Sequence, residues 1–337
     1  MGEFVPVTIK DIAKVAGVSH TTVSRALNGN PAISPATTDR ILKLAQQMGY
    51  TPSAVAQSLL SQRTQTIGMV VTTIADPFIV RVVEGVESVA QQAGYSVFLA
   101  ISHNDPQQEL EVVKTFQHRR VDAIIVTASR VGSLYSTELN QIQVPIVLIN
   151  DQAEGEHLHS VTVDDKQGPR LALHHLLELG HRRIAYIDTL NRPKSSQRRL
   201  TCYQETLAQA TLPFEPGLII SPQVKGDFNR GQASLLPLLA GESTAVFCYN
   251  DVTAIGLISA CHQQGIDVPG KLSVVGFDDI DAGQYTWPQL TTVHQPRLRL
   301  GKMAAEMVLD LLNKKKVKDQ VLPCELVIRG STAPYQG

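Results

Sequence analysis

From Ile67 onward the sequence repeats one rhythm: a short apolar run, a polar turn, then an amphipathic segment of helical length. The apolar runs do not alternate with polar residues, so the strands that they predict are buried on both faces, as in parallel sheets. Strands that alternate with helices predict a doubly wound α/β architecture. The predicted strands cover residues 67–71, 97–100, 123–128, 145–149, 161–163, 183–187, 218–220, 245–249 and 273–277.

About 270 residues follow this rhythm, which is more than one such domain usually holds. We therefore expect two similar α/β lobes, although no repeat in the sequence relates them. We expect the chain to cross between the lobes near Asp164, His294 and Leu322.

The N-terminal segment has a different pattern, with three short helices closely spaced between Thr8 and Gly49. Thr8 is a suitable cap for the first helix and Gly17 for its end, and Ser19 is a suitable cap for the second. The third helix carries Ile41, Leu42, Leu44, Ala45 and Met48 as candidate apolar residues. The segment is predicted to be a minimal all-α bundle. Residues 51–66 follow it as a linker whose weak apolar stripe makes a marginal helix.

Charge separates the same two regions. Residues 1–63 hold six basic and three acidic side chains, whereas the remainder holds 24 basic and 28 acidic ones. This asymmetry predicts a polyanion partner for the N-terminal segment. No bilayer-spanning run or signal peptide is visible, so a cytoplasmic location is expected. The four cysteines are too widely spaced for a metal site, and we expect free thiols and no metal or cofactor.

The stretch GVSHTTVSRALNG, from Gly17 to Gly29, matches a helix-turn-helix, whose second helix enters the DNA major groove. Short hydroxyl side chains at the start of that helix let its backbone approach phosphates and base edges. His20 and Thr21 are placed to face base edges, and Arg25 can contact a guanine or a phosphate. An ordinary capped helix in a small bundle is the alternative.

A second set of polar residues follows the predicted strands. The carboxyl ends of parallel strands meet at one edge of a sheet, which is where ligands bind in open α/β folds. Carboxylates, amides, one arginine and aromatic rings in such a place suit a sugar or a nucleoside. The residues at strand ends are Asp76, Phe78, Asn150, Asn250, Asp251, Asp278 and Asp279.

The whole sequence resembles the lactose/galactose repressor (LacI/GalR) family of bacterial transcription regulators. The resemblance lies in TIKDIAKVAGVSHTTVSRALNG and YTPSAVAQSLLSQRTQTIG, then in ADPF, LGHRRIAYI, YNDVTAIG, VVGFDD and PQLTTVHQP. It implies a helix-turn-helix domain at 1–50, a hinge helix and linker at 51–66, and an effector-binding and dimerisation core at 67–337. The core's lobes would be like periplasmic binding proteins, with an N-lobe at about 67–163 plus 296–322 and a C-lobe at about 164–293 plus 323–337.

The resemblance also implies roles for particular residues. The DNA-contacting residues would be Thr8, Ser19, His20, Thr21, Thr22, Ser24, Arg25 and Asn28, together with Ala56 and Leu59 of the hinge, where Leu59 would wedge into the minor groove. The effector-binding residues would be Asp76, Phe78, Asn150, Arg199, Phe228, Asn250 and Asp278. Ser53, Gln57 and Leu60 depart from the residues that the family often has in the hinge.

The sequence therefore predicts a nonenzymatic transcription regulator, most simply a repressor, associated with the nucleoid. It would bind a palindromic operator as a homodimer, under the control of a sugar or nucleoside-like effector in the cleft. The predicted effector residues are compatible with an effector that releases the protein from DNA and with one that promotes its binding to DNA. Two alternatives have no DNA role: a sugar-binding transport protein, which the absent signal peptide disfavours, and an α/β hydrolase, for which no nucleophile elbow is present.

Overall fold

The structure is a computed structural model, and it describes residues 7–50, 63–129, 131, 144–151, 158–189 and 193–336. The chain forms two compact units, Met1–Thr64 and Gln65–Gly337. The predicted hinge residues Ala56 and Leu59 lie outside the described residues.

The first unit contains three helices whose ends are set by local side chains. They are α1 (Ile9–Ala16), α2 (His20–Leu27) and α3 (Pro35–Gln47). The Thr8 hydroxyl accepts the backbone N–H of Asp11, and Asp11 accepts the backbone N–H of Thr8, which together make a capping box. Gly17 ends α1 in the left-handed conformation, with φ of 62°. These caps confirm the predicted starts of α1 and α2.

An apolar cluster holds the three helices together. Its buried members are Ile12, Ala13, Ala16, Val23, Ala26, Ile41 and Ala45. Leu42, which was expected to join this core, is 46% exposed. The stripe on α3 runs through Ile41, Leu44 and Ala45 at helical spacing, and Leu42 lies to one side of it.

Twelve strands form two sheets in the described part of the second unit. They are β1 (Thr66–Val71), β2 (Ser96–Ile101), β3 (Ala123–Thr127), β4 (Ile146–Ile149), β5 (Leu158–Val163), β6 (Ile184–Ile187), β7 (Ile219–Ile220), β8 (Ala245–Cys248), β9 (Ser273–Asp278), β10 (Thr291–His294), β11 (Gln320–Leu322) and β12 (Glu325–Val327). The helices among them are α4 (Pro77–Gln92), α5 (Pro106–His118), α6 (Gln167–Glu178), α7 (Pro193–Gln209), α8 (Asp227–Ala240), α9 (Asp251–Gln263) and α10 (Arg297–Leu312), with short 3-10 turns at Pro216–Leu218 and Asp281–Gln284.

The two sheets have the same strand order. The first runs β11-β5-β4-β3-β1-β2 and the second runs β12-β10-β9-β8-β6-β7. All pairings are parallel except that of β10 with β12. The chain passes from the first sheet to the second after β5, returns after β10 to α10, and passes again between β11 and β12. The predicted fold class, a helical bundle followed by two doubly wound lobes, is confirmed.

One close helix pair in each lobe depends on glycine. A Cβ at Gly85 of α4 would lie 2.2 Å from the carbonyl oxygen of Leu298 in α10, and a Cβ at Gly231 of α8 would lie 2.0 Å from that of Thr253 in α9. Only glycine permits this approach of two backbones. The helices that begin beside the sheet edges are therefore held tightly to each other.

Membrane-spanning helices and metal-ligand clusters are both absent from the described ranges. Each helix there is too short or too polar to cross a bilayer. No group of three or more potential metal ligands lies together in those ranges, and the four cysteines are free and buried.

Candidate functional site

The outer face of α2 is polar and exposed, as the sequence predicted. His20, Thr21 and Arg25 are exposed there, and Asn28 is exposed at the end of the helix. The opposite face carries Val23, which is fully buried. The exposed side chains are thus available to a partner, while the fold depends on the other face.

The remaining candidates on this helix take part in its capping. The Ser19 hydroxyl accepts the backbone N–H of Thr22 at 3.1 Å and lies 2.9 Å from the Thr22 hydroxyl. Asn28 donates its side-chain amide to the carbonyl oxygen of Ser24 at 2.8 Å. The Ser19 cap fixes the helix start, where backbone N–H groups can meet an anion.

A cavity of about 390 Å³ lies between the two sheets, at the carboxyl ends of their strands. This is the location that the strand-end rule predicts for a ligand, and the volume is in the range of small-molecule sites. Six of the seven predicted effector residues line it: Asp76, Phe78, Asn150, Arg199, Asn250 and Asp278.

Arg199 is the central cation of the cavity, and its guanidinium is held on several sides. Its Cζ lies 3.6 Å from the ring centroid of Phe277 and 4.6 Å from that of Tyr249. Its Nε donates to Asp165 at 3.2 Å, and one Nη donates to the carbonyl oxygen of Tyr249 at 2.6 Å. Burial opposes the charge, but the nearby acidic groups of Tyr249, Asp165 and Asp278 outweigh it and raise the pKa of Arg199. The arginine is therefore a fixed, permanently charged donor.

A chain of side chains joins the two lobes across the floor of the cavity. Gln295 donates to a carboxylate oxygen of Asp278 at 2.5 Å, and its own oxygen accepts the amide of Asn150 at 3.4 Å. The Asn150 oxygen in turn accepts the backbone N–H of Val163 at 3.2 Å. Burial, ahead of the charge of Asp251, raises the pKa of Asp278 well above its ordinary value.

Several helices begin at the wall of the cavity, among them α4, α8 and α9. Asp76 caps α4 by accepting the backbone N–H of Phe78 at 2.9 Å. Asn250 caps α9 by accepting the backbone N–H of Thr253 at 2.9 Å, and it donates its amide to Asp227, the first residue of α8, at 2.7 Å. The polar groups of this wall are thus set by the helix starts.

Phe228 is the one predicted effector residue outside the cavity lining in the described structure. Its side chain is 38% exposed, and its backbone carbonyl packs on Gly256 of α9. The neighbours Gly226 and Asp227 reach the cavity instead. Its role in effector binding stays a prediction.

Several lining residues were not selected from the sequence, among them Asp165, Ser195, Tyr249 and Gln295. Tyr249 and Gln295 directly follow β8 and β10 in the structure. The strand-end rule did not reach them, because Tyr249 was placed inside the predicted strand 245–249 and no strand was predicted at 291–294. Asp165 lies two residues after β5. Ser195, which lies 2.7 Å from the Tyr249 hydroxyl, had no comparable signal because it lies in the first turn of α7.

Asp251 and Asp279, which also follow predicted strands, make contacts within the protein. Asp251 is fully buried and accepts the Thr292 hydroxyl at 2.5 Å. Asp279 contacts His294 at 2.9 Å and Arg329 at 2.6 Å. Neither residue lines the cavity in the part of the chain described.

Comparisons with known proteins place these features in two domain families. Residues 8–53 match the model "Bacterial regulatory proteins, lacI family", and residues 173–332 match the model "Periplasmic binding protein-like domain". The chain is 33% identical over 327 residues to the HTH-type transcriptional repressor PurR of Vibrio parahaemolyticus, covering 96% of this chain and 98% of that protein.

Solved structures agree with the sequence matches. The lac repressor dimer bound to operator and the anti-inducer ONPF is similar with a TM-score of 0.86 and 26% identity, over 98% of this chain and all of that chain. A LacI family transcriptional regulator from Enterococcus faecium with bound ribose is similar with a TM-score of 0.73 and 28% identity, over 80% of this chain and 100% of that one.

Proposed function

Because this chain belongs to the lacI family of bacterial regulatory proteins, as its sequence resemblance predicted, we propose that it is a transcription repressor that binds operator DNA as a homodimer. A small-molecule effector in the cavity between the lobes would control it. The relative matched over 96% of the chain is named as a repressor rather than as an enzyme. The proposal also includes the division into domains at 1–50, 51–66 and 67–337, and a cytoplasmic site of action on the nucleoid.

The observation that carries the DNA-binding role is the exposed polar face of α2 on a helix-turn-helix bundle. His20 and Thr21 would contact base edges, and Arg25 a guanine or a phosphate. One such module buries too little of one half-site for tight specific binding, so two copies on a palindrome are needed.

Operator selection tests this role. Exchanging His20 and Thr21 for other side chains should change the preferred half-site sequence, with a cost of about 1–3 kcal/mol on the original operator. Lys10→Ala should instead weaken binding to all sequences alike, since a phosphate contact carries no base information. An unchanged half-site preference in the first variant would count against the assignment.

The hinge contact is proposed from the family resemblance, since Ala56 and Leu59 lie outside the described residues. Leu59 would wedge between bases in the minor groove and kink the operator. Leu59→Ala should then lower operator affinity and bending without changing the unfolding midpoint. Retention of both affinity and bend angle would refute the wedge.

We propose a sugar or a nucleoside-like molecule as the effector. Carboxylate and amide oxygens suit several hydroxyl groups, and aromatic side chains such as Phe78 suit the apolar face of a ring. The ribose bound to the Enterococcus faecium regulator supports this class. Effector binding can act on DNA binding only as far as the effector prefers one arrangement of the lobes.

A thermal-shift screen of sugars and nucleosides on the full chain would identify the effector. A ligand at 100 times its Kd should stabilise the protein by about 2.7 kcal/mol. Arg199→Ala or Asp278→Ala should abolish the response to that ligand but leave operator binding in its absence. If both variants bind the ligand as the parent does, the proposed site is wrong.

A further inference from the structure

The charges around the cavity are strongly unequal. Among the described residues that line it, four are carboxylic acids, Asp76, Asp165, Asp227 and Asp278, and one is a cation, Arg199. A site that binds a phosphate or carboxylate ligand ordinarily supplies an excess of Arg, Lys or backbone N–H donors. The described part of the lining instead holds more acidic side chains than cationic ones.

Arg199, the cation among the described lining residues, already forms an ion pair with an acid of the protein. Arg199 donates to Asp165, and it is also held by the carbonyl oxygen of Tyr249. A second arginine behind the wall, Arg230, is only 3% exposed and forms an ion pair with Asp227. An anionic ligand would have to compete with these internal carboxylates for each guanidinium, and it would lose its hydration in doing so.

Helix N-termini are the other common anion sites, and at three of those beside the cavity, α4, α8 and α9, the chain supplies its own acidic or amide group. Asp76 caps α4, and Asp227 is the first residue of α8. Asn250 caps α9 and uses its amide to bind Asp227. Side-chain oxygens of the protein thus cap the starts of α4 and α9, and the first turn of α8 carries an acid.

The same arrangement is favourable for hydroxyl groups. A carboxylate oxygen accepts hydrogen bonds from a ligand O–H, and the side-chain amides of Asn150 and Asn250 lie at the same cavity. Uncharged hydroxylated molecules would find partners of both kinds.

We propose that the effector carries no negative charge, being a free sugar, polyol or nucleoside, and that Asp76 at the start of α4 discriminates against its phosphorylated counterpart. This inference rests on the proposed function, because it concerns the effector of the same cavity. It assigns Asp76 the selection of ligand charge in addition to its cap on α4.

Matched ligand pairs test the inference on the full-length protein. Calorimetric titrations would compare neutral sugars and nucleosides, such as ribose, glucose and adenosine, with their monophosphates, in a panel that covers the common members of each class. We expect at least one neutral member to bind, its monophosphate to bind at least tenfold more weakly, and Arg199→Ala to abolish the binding.

Asp76→Asn removes the charge but keeps an oxygen that can cap α4, since asparagine is as good an N-cap as aspartate. This variant should therefore fold, and the affinity ratio of neutral to phosphorylated ligand should fall about tenfold. Asp310→Asn is the matched control, because Asp310 lies near the end of α10 in an exposed ion pair with Lys315, and it should leave the ratio unchanged.

The outcomes separate the two proposals. If a phosphorylated member binds as tightly as its neutral partner or more tightly, and Arg199→Ala abolishes that binding, the inference about ligand charge is wrong. The cavity is then still the effector site. The inference is also wrong if no neutral member binds, or if Asp76→Asn leaves the affinity ratio unchanged. Binding that survives in Arg199→Ala would overturn the proposed effector site itself.

Discussion

Gly231→Ala should show how closely the C-terminal lobe's stability and its effector cavity depend on one helix contact. In the structure, a Cβ at Gly231 would lie 2.0 Å from the carbonyl oxygen of Thr253 and 2.7 Å from the backbone nitrogen of Leu257. On the facing helix, a Cβ at Gly256 would lie 2.0 Å from the carbonyl oxygen of Phe228. All of these neighbours are backbone atoms, which cannot turn away as a side chain can.

The size of the effect follows from these distances. Non-bonded heavy atoms are most favourable at about 3.5–4.0 Å, so α8 and α9 would have to separate by more than an ångström. Overpacking of this kind costs about 1–3 kcal/mol and occasionally more, whereas alanine in a helix recovers about 1 kcal/mol relative to glycine. Because backbone cannot repack, we place the net loss at about 2 kcal/mol, equivalent to a Tm lower by about 4–8 °C.

The same separation would disturb the cavity. α8 begins with Asp227 and α9 is capped by Asn250, and these side chains are joined at 2.7 Å. Gly231→Ala should therefore weaken effector binding as well as lower the unfolding midpoint of the second unit in urea and in calorimetry.

Gly217→Ala is the matched control. A Cβ at Gly217 would meet nothing within 4 Å, so the change should alter stability by no more than about 0.5 kcal/mol. If Gly231→Ala proves as stable as the parent and binds effector equally well, the close helix contact does not constrain this lobe, and the reasoning fails.

Two further predictions concern ion pairs. The hydrogen bond from His294 is the largest of the contacts that hold the pKa of Asp279 at about 2, below its ordinary 3.8. The stability that Asp279 supplies is therefore present above about pH 4 and is lost as the pH falls toward 2. Asp279→Asn should cost about 1–2 kcal/mol at pH 7 and almost nothing at pH 2, and urea unfolding that showed equal losses at both pH values would refute the linkage. Lys194 of α7 binds both carboxylate oxygens of the buried Asp151, which follows β4, at 2.8 and 3.0 Å, so this ion pair joins the two lobes. Lys194→Met should lower the free energy of unfolding in urea by about 1–2 kcal/mol, whereas Lys315→Met, in an exposed ion pair, should lower it by less than about 0.5 kcal/mol. Equal effects would show that the ion pair between the lobes adds nothing to stability.

Local features of this protein could be predicted because their causes lie within a few residues of each other. The caps at Thr8 and Ser19 are made by side chains that meet backbone one turn away, and Gly17 can take the left-handed conformation because it has no Cβ. The buried strands followed from runs of apolar residues, and their ends led to Asn150 and Asp278. Helix and strand periodicity thus determined the fold class and the edge at which a ligand cavity forms.

Contacts between distant segments had no such local signal. The sequence showed no repeat, yet both lobes have the same strand order, because the order depends on how the helices pack over the sheets rather than on similar residues. Gln295 joins Asn150 to Asp278 only because the chain returns from the second sheet at that point. From the sequence, Gly231 and Gly256 could equally have lain on helix faces that contact no other helix.

The sequence by itself determined that this chain is a small basic helix-turn-helix unit joined to two α/β lobes, since periodicity, caps and charge act locally. The tertiary structure alone decided how the cavity's charges are balanced. Arg199 meets Asp165, and Asp227 meets Asn250, across long stretches of chain, so their pairing depends on where the folded backbone brings them. The chemistry available to a ligand is therefore a property of the packed lobes.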